Sequence, residues 1–145
     1  MLKVVAILVS SFLLSACVDE GNANQSTNIS YVVASAGLQT GINSQQIYVL
    51  KNSAEYSNLM SNVQLLGQIP NPDFSQSMLV GIFTTLNSCY SISIDSVRDV
   101  NGSILVSVNI TSENIEACNP VVGSSYIIVD IAQSPEQVSV VFNES

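Results

Sequence analysis

The three cysteines have the most distinctive chemistry in this sequence, and they stand in a chain of 145 residues that contains no histidine. Histidine is the usual catalytic base near neutral pH and a common transition-metal ligand. Without it, a serine or cysteine nucleophile needs a lysine or a carboxylate as its base. Lys3 and Lys51 are the only lysines, and serines are too frequent for any one to be singled out as a partner. We therefore predict no enzyme, no cofactor and no metal site.

Asp95, Asp99 and Asn101 form the group of oxygen ligands that most resembles a calcium loop. The twelve-residue spacing and the closing glutamate of an EF-hand are absent. Acidic and amide side chains next to a turn are ordinary turn residues. These three residues are therefore interpreted as part of a turn.

Cys17 ends an apolar segment with the proportions of an export signal. Met1-Leu2-Lys3 gives a positive start, and residues 4–16 carry no charge. The run is shorter than the roughly 20 residues that a spanning helix needs. Leu14-Ser15-Ala16-Cys17 resembles the bacterial lipobox, which implies cleavage before the cysteine and acylation of its thiol. We predict a lipoprotein signal peptide over 1–16 and a membrane anchor of several acyl chains at Cys17.

Residues 17–28 begin with the cysteine predicted to be lipidated, show no apolar periodicity and are predicted to be a flexible tether. Val18, rather than aspartate, directly after Cys17 favours the outer membrane under the sorting rule of enterobacteria. The acidic pair Asp19-Glu20 fits display at the cell surface equally well. The predicted location is the bacterial cell envelope, with a lipid anchor in the outer membrane. The sequence does not distinguish the periplasmic face of that membrane from the cell surface.

Lipidation of Cys17 leaves Cys89 and Cys118 as a pair in an oxidising compartment. A bridge between them would close a loop of about 30 residues, worth roughly 3–4 kcal/mol in the chain-entropy model. A metal or redox pair is the alternative, but neither a CxxC spacing nor a histidine supports it. We predict a single structural disulfide.

The charge of the chain excludes one class of partner. Three Lys and Arg stand against 11 Asp and Glu, for a formal net charge of −8. Such a chain is repelled by phosphates, so we expect no nucleic acid to bind. The length supports one domain, predicted over 29–145.

The apolar pattern predicts an α+β fold, a mostly antiparallel β-sheet with one packed helix. Tyr56, Leu59, Met60 and Val63 make one apolar stripe at helical spacing. Asn52 and Glu55 provide an N-terminal cap, and Gly67 with Pro70 a stop, so the helix is predicted over 53–66. The apolar run over 78–83 predicts a central strand covered on both faces. Further strands are predicted at 31–33, 46–50, 126–131 and 137–142.

Alternating apolar residues on both sides of Asn101-Gly102 predict a β-hairpin over 90–111. A two-residue turn would place Ile94 opposite Asn109 and Asp95 opposite Val108, which mixes the two faces. A three-residue loop, Val100-Asn101-Gly102, pairs Ile92 with Ile110 and Ile94 with Val108. We therefore predict the three-residue loop.

Four segments follow one another from Asp73 onward: Asp73-Phe74-Ser75-Gln76-Ser77-Met78-Leu79-Val80-Gly81, Ser88-Cys89-Tyr90-Ser91-Ile92-Ser93-Ile94, the hairpin at Asn101-Gly102, and Ser125-Tyr126-Ile127-Ile128-Val129. In order and sequence they resemble the PrcB C-terminal domain family. Ser88 and Cys89 stand where that family has paired glycines. Ser125 replaces its proline, and Ile127 its histidine. The resemblance implies an exported accessory or stability subunit of a cell-surface protease complex.

We predict a non-catalytic envelope binding module that contacts a protein partner, such as a protease, through residues 84–90 and 112–125. A loop-inserting protease inhibitor is an alternative, because Asn119-Pro120-Val121-Val122-Gly123 resembles part of the inhibitory loop of chagasin-type proteins. A structural envelope lipoprotein without a dedicated ligand is another. The candidate contact residues are Asn87, Ser88, Tyr90, Asn119, Pro120 and Gly123.

Overall fold

The computed structural model describes residues 25–87, 89–112 and 122–144. Strands in this part of the chain are β1 Ser26–Asn28, β2 Tyr31–Thr40, β3 Gln46–Leu50, β4 Gln64–Leu65, β5 Ser77–Asn87, β6 Tyr90–Val100, β7 Ser103–Ser112, β8 Val122–Ala132 and β9 Gln137–Glu144. The helix α1, Ser53–Asn62, lies between β3 and β4. Several predicted features lie outside the described residues: the signal peptide 1–16, the predicted lipidation site Cys17, most of the tether, Ser88, Cys118, Asn119 and Pro120.

The strands form two sheets. One has four strands in the order β1-β6-β7-β9, and the other has five in the order β3-β5-β8-β2-β4. Every pairing is antiparallel except that between β7 and β9. The predicted α+β class, with a mostly antiparallel sheet and one packed helix, is confirmed.

The main core combines side chains from both sheets. Alternate residues of a strand point to the same face of the sheet, so β5 and β8 each contribute every second side chain to the main core. The strands β6 and β7 do the same from the four-stranded sheet. The buried members of this core are Met78, Val80, Ile82, Val97, Ile104, Val106, Val108, Ile127, Val129 and Ile131.

A second core covers the opposite face of the five-stranded sheet. Leu79, Phe83 and Tyr126 point to this side and pack with Leu59 and Val63 at the end of α1. The strand β5 is therefore covered on both faces, as its apolar run predicts. The complete helical stripe predicted from the sequence, Tyr56, Leu59, Met60 and Val63, belongs to this cluster.

The helix α1 begins where its cap predicts. The Glu55 backbone N–H donates to Asn52 Oδ1 at 2.9 Å, and the Lys51 N–H donates to Glu55 Oε2 at 2.7 Å. The first bond satisfies one of the backbone donors that the first turn of a helix leaves unpaired, and the second ties the residue before the cap to that turn.

Replacing Asn52 with alanine removes this cap. We expect a loss of about 1 kcal/mol in the free energy of unfolding, because the Glu55 amide loses its partner. Chemical denaturation measures the change. The matched variant Asn52→Asp keeps an acceptor oxygen and should differ from the wild type by only a few tenths of a kcal/mol; equal losses in both variants would contradict the capping role.

The helix ends at Asn62, so the predicted end at residue 66 is wrong. Val63 is extended, with φ −129° and ψ 134°. The next residues pair with β2, Gln64 opposite Thr40 and Leu65 opposite Gln39. Strand pairing in the second core therefore ends the helix before Gly67 is reached.

The β6–β7 hairpin has a two-residue turn, so the predicted three-residue loop is wrong. Asn101 and Gly102 both have positive φ, 54° and 76°, as the tight primed turns of hairpins require. The predicted pairs Ile92–Ile110 and Ile94–Val108 are nevertheless present. The register shifts between Ile94 and Ser96. A β-bulge at Asp95 thus adds the residue that the prediction assigned to the turn.

The strand β1 begins at Ser26, three residues before the predicted domain start at residue 29. Ser26, Thr27 and Asn28 pair with Val100, Asp99 and Arg98 of β6. Backbone hydrogen bonds of an edge strand need no apolar side chains, so the polar composition of this segment gave no signal.

The strand directions give the sandwich two ends. We define the proximal pole as Gln25, the turn at Asn101-Gly102 and residues 132–137. The chain enters there, and the Asn101 N–H donates to the Gln25 carbonyl oxygen at 3.4 Å. We define the distal pole as residues 85–87, 89–90, 110–112, 122–123 and 144, where β5, β7 and β9 end and β6 and β8 begin.

Asp73 closes the turn that leads into β5 at the proximal side. Its Oδ1 accepts from the Ser75 hydroxyl at 2.7 Å and the Ser75 N–H at 3.0 Å. These bonds, the side-chain one first, hold the pKa of Asp73 below its ordinary value. A carboxyl with a lowered folded-state pKa adds stability above its unfolded pKa, and this stability is lost as pH falls through the folded value.

Substitution of Ser75 by alanine is expected to raise the pKa of Asp73, because the stronger of the two bonds is removed. A carbon-detected NMR titration of the carboxyl measures this directly. Ser77→Ala is the control, since the Ser77 hydroxyl donates to the Asp73 backbone oxygen and not to its carboxylate. An unchanged Asp73 titration in Ser75→Ala would refute the assignment.

Candidate contact surface at the distal pole

The distal pole contains a small cleft between the two sheets. It has a volume of about 230 Å³ and is lined by Thr85, Leu86, Tyr90, Ile110 and Glu144. The strand β5 supplies the first two residues, and the other three come from β6, β7 and β9. Four strands from both sheets therefore position this site.

Apolar side chains at this pole are open to solvent. Tyr90 is 40% exposed and Val122 is 72% exposed. Val122 begins β8 opposite Asn87, at the last pair of the β5–β8 ladder. Exposed aromatic and aliphatic groups at a rigid sheet end are suited to a protein contact.

The charge at this pole is negative. Glu144 lines the cleft, whereas Lys51 and Arg98 belong to other parts of the fold. The Lys51 ammonium donates to the Ser134 carbonyl oxygen at 2.8 Å, at the proximal pole. Arg98 pairs with Asn28 near the chain entry. A partner that fits the distal pole would combine apolar side chains with a basic group.

Only some of the predicted contact residues are among those that the structure describes. Tyr90 lines the cleft, and Gly123 lies in β8 opposite Leu86. Asn87 is the last residue of β5. Ser88, Asn119 and Pro120 are outside the described residues.

The predicted contact loops are too long. Residues 84–87 continue β5, and 122–125 already belong to β8. The reason is that the two strands pair along their full length, from Ser77–Ala132 to Asn87–Val122. Backbone pairing therefore extends beyond the apolar runs that defined the predicted strands.

Cys89 lies between β5 and β6 and is buried, with 3% of its surface exposed. Its predicted partner Cys118 lies outside the described residues. The segment containing Cys118 leaves β7 at Ser112 and returns at Val122, both at the distal pole.

Leu86, Ile110, Val122 and Glu144 are contact candidates that the sequence did not reveal. The alternation of β7 marks Ile110 as inward-facing, which is typical of a core residue. Its position at the open end of the sandwich depends on how four strands end together, and no local pattern encodes that.

Two further findings concern metals and membranes. Within the described ranges, no group of three or more His, Cys, Asp or Glu residues could hold a metal ion. No helix in those ranges is long and apolar enough to cross a membrane.

No protein-family model, curated protein or solved structure matches this chain. Its function therefore has to follow from the geometry and charge of its own residues.

Proposed function

We propose that this protein is a lipid-anchored, non-catalytic binding module of the bacterial envelope, most suited to the outer membrane, that presents its distal pole to a protein partner. One observation carries the proposal: the chain enters the fold at the proximal pole, at the opposite end of β6 from Tyr90. The strand β6 has 11 residues and so separates the two poles by roughly 33 Å.

The anchor geometry agrees with this arrangement. The eight residues from Val18 to Gln25 reach at most about 29 Å when fully extended. A lipid at Cys17 thus keeps the proximal pole within this distance of the membrane, whereas the distal pole can reach one strand length further out. The acyl chains supply the affinity for the membrane, and the protein partner binds elsewhere.

A protease is the partner class that the sequence supports. The segments that resemble the PrcB C-terminal domain family include the β5–β6 connection at Cys89, which lies at the distal pole. An accessory or stability role toward an exported protease would use this pole. The cleft, which is lined by both apolar side chains and Glu144, favours a basic, apolar segment of that partner.

We propose that Cys89 and Cys118 form the single disulfide. The burial of Cys89 and the origin of the Cys118 segment at the same pole both support this pairing. Intact-mass analysis after alkylation, with and without reductant, tests it. Alkylation of both thiols in the unreduced protein would overturn it.

The anchor is tested by fractionation and mass. Wild-type protein should sediment with envelope membranes and carry the added mass of its acyl chains. Cys17→Ser should lose that mass and move to the soluble fraction, because no other group is proposed to hold the membrane. An unacylated wild-type product would overturn the anchor.

The contact surface is tested by photo-crosslinking in cells. The crosslinking residue p-benzoylphenylalanine replaces Tyr90 in one variant, Val122 in a second and Gln137 at the proximal pole in a third. We expect the same protein adduct from both distal positions and none from Gln137. Adducts from Gln137 alone, or none from either distal position, would refute the distal contact and favour a structural lipoprotein without a dedicated partner.

The loop-inserting inhibitor is the alternative function, and it uses the same pole. The strands that flank residues 113–121 end and begin there. This function predicts that the full chain slows a papain-type protease and that Pro120→Ala weakens the inhibition. Unchanged protease rates at saturating protein would exclude it and leave the accessory role intact.

A further inference from the structure

A groove runs between α1 and β3, away from the distal pole. Its volume is about 530 Å³. The side chains of Glu55, Asn58 and Asn62 form its helical wall, and Gln46 and Tyr48 form its strand wall. The spacing of the three helical residues places them on one side of α1. Its apolar floor is made of Ile42, Leu50, Leu59 and Val63.

The strand β3 is an open sheet edge. It pairs with β5 on one side and is the first strand of the five-stranded order. Among the described residues, no backbone hydrogen bond outside the β3–β5 ladder involves residues 46–50. An edge strand presents unpaired N–H and C=O groups along its outer side, and these are a template for another strand.

The polar groups of the groove leave hydrogen-bonding capacity for a ligand. The Asn58 side-chain amide makes no hydrogen bond to any described residue, although its backbone oxygen accepts from Asn62 Nδ2. The Tyr48 hydroxyl donates to Gln46 Oε1 and retains its acceptor lone pairs.

Among the described residues that line the groove, Glu55 is the only one with a charged side chain. Its Oε2 accepts from the Lys51 N–H, and its other oxygen remains available. The Lys51 ammonium is bound to the Ser134 carbonyl oxygen. With a net charge of −8 on the whole chain, this groove complements a cationic ligand and disfavours an anionic one.

We propose that the α1–β3 groove binds an extended, basic peptide segment of another protein as a sixth strand beside β3. Strand pairing satisfies the open edge, and every second peptide side chain lies over the apolar floor. A lysine or arginine of the peptide lies beside Glu55. Because β3 has five residues, it accommodates about five peptide residues, two or three of which face the groove.

The choice of β3 over the other open edges follows from its surroundings. The strand β9 is a longer open edge. However, the helical wall and the apolar floor, which would contact the peptide side chains, lie beside β3. This surface is separate from the distal pole, so the proposal holds whether or not the distal pole binds a protease.

Isothermal titration calorimetry of the full chain in detergent micelles tests the proposal. The probe is the peptide Lys-Val-Thr-Val-Thr-Val-Lys, and the control is the same peptide with glutamate at both ends. We expect saturable binding of the basic peptide and at least about tenfold weaker binding of the acidic one. Equal affinities, or no binding of the basic peptide, would overturn the proposal.

Backbone methylation tests the strand pairing itself. One peptide carries N-methyl groups on its three valines, and a second carries them on its two threonines. Only one of these alternating sets donates to β3 in an edge pairing. We therefore expect one methylated peptide to lose binding and the other to retain it. Equal binding of the two would refute strand addition.

Protein variants locate the site. Asn58→Tyr blocks the groove and should weaken binding at least about tenfold, whereas Ser57→Tyr, on the neighbouring exposed position, should leave it unchanged. Glu55→Gln retains the helix cap and removes the charge, so it should reduce the preference for the basic peptide. If Ser57→Tyr and Asn58→Tyr weaken binding equally, the site is not this groove. Photo-crosslinks from Tyr90 and Val122 report separately on the distal pole.

Discussion

Substitution of Gly41 by alanine is expected to destabilise the protein by about 3 kcal/mol or more. Gly41 has φ +113°, a conformation that residues with a Cβ rarely adopt, and such strain costs about 1–3 kcal/mol. A Cβ at this position would also overlap the backbone carbonyl oxygen of Asn62 and lie 3.3 Å from the Val63 Cα. Forcing an extra group into a packed site adds about 1–3 kcal/mol.

The backbone around Gly41 has little freedom to relieve this overlap. The buried Gln39 side chain fixes the turn that contains Gly41. Its Nε2 donates to the Ile42 carbonyl oxygen at 2.6 Å, and its Oε1 accepts from the Ile42 N–H at 3.2 Å. On the other side of the overlap, Asn62 is fixed as the last residue of α1.

Gly102→Ala is the matched control for Gly41→Ala. Gly102 also has positive φ, 76°, but a Cβ there would meet no atom within 4 Å. Its substitution should therefore cost only the backbone strain, about 1–2 kcal/mol. Urea denaturation of both variants separates the two contributions. A Gly41→Ala variant no less stable than Gly102→Ala would show that the close approach of Asn62 does not constrain the fold.

Phe83→Ala is the second substitution with a large expected effect, a loss of about 3–5 kcal/mol in the free energy of unfolding. Phe83 is fully buried at the centre of the second core. Its ring lies edge-on to Tyr48, with centroids 5.6 Å apart, and stacks with Tyr126 at 6.1 Å. Removing the ring leaves a cavity and breaks both aromatic contacts.

The same substitution at Phe142 provides the control. Phe142 lies on the edge strand β9, is half-buried and packs only at the margin of the main core. Its loss should cost about 1–2 kcal/mol, because less apolar surface leaves the core. Similar losses at the two positions would contradict the central role assigned to Phe83.

Local patterns predicted most elements of the fold, and they failed where distant segments compete. The Asn52 cap needs only its neighbours, and the predicted helix start at Ser53 is confirmed. The helix end depends on pairing between Leu65 and Gln39, which are far apart in sequence. The hairpin turn could not be predicted for a related reason. A two-residue turn with a bulge at Asp95 and a three-residue turn at Asn101 give the same strand pairing beyond the bulge, so the apolar pattern does not distinguish them.

The candidate sites were less predictable than the elements. The sequence predicts Tyr90 as a contact residue within the segment 84–90, but the distal cleft also needs Ile110 and Glu144 from other strands. The α1–β3 groove had no signal at all, because Glu55 and Asn58 are ordinary polar residues on the exposed side of a predicted helix. These two residues lie beside an open sheet edge only because α1 packs next to β3.

The parallel pairing of β7 with β9 has a consequence for how the protein reaches its native state. The four-stranded sheet has β1 on one edge and β9 on the other, the first and last strands of the described chain. It cannot be completed until Gln137–Glu144, which follows β8 of the other sheet, has been synthesised and has paired with β7. Because such distant segments must meet before their bonds form, folding belongs to the slow regime of milliseconds to seconds. Until then β7 keeps an open edge, whose unpaired N–H and C=O groups are a template for pairing with another chain.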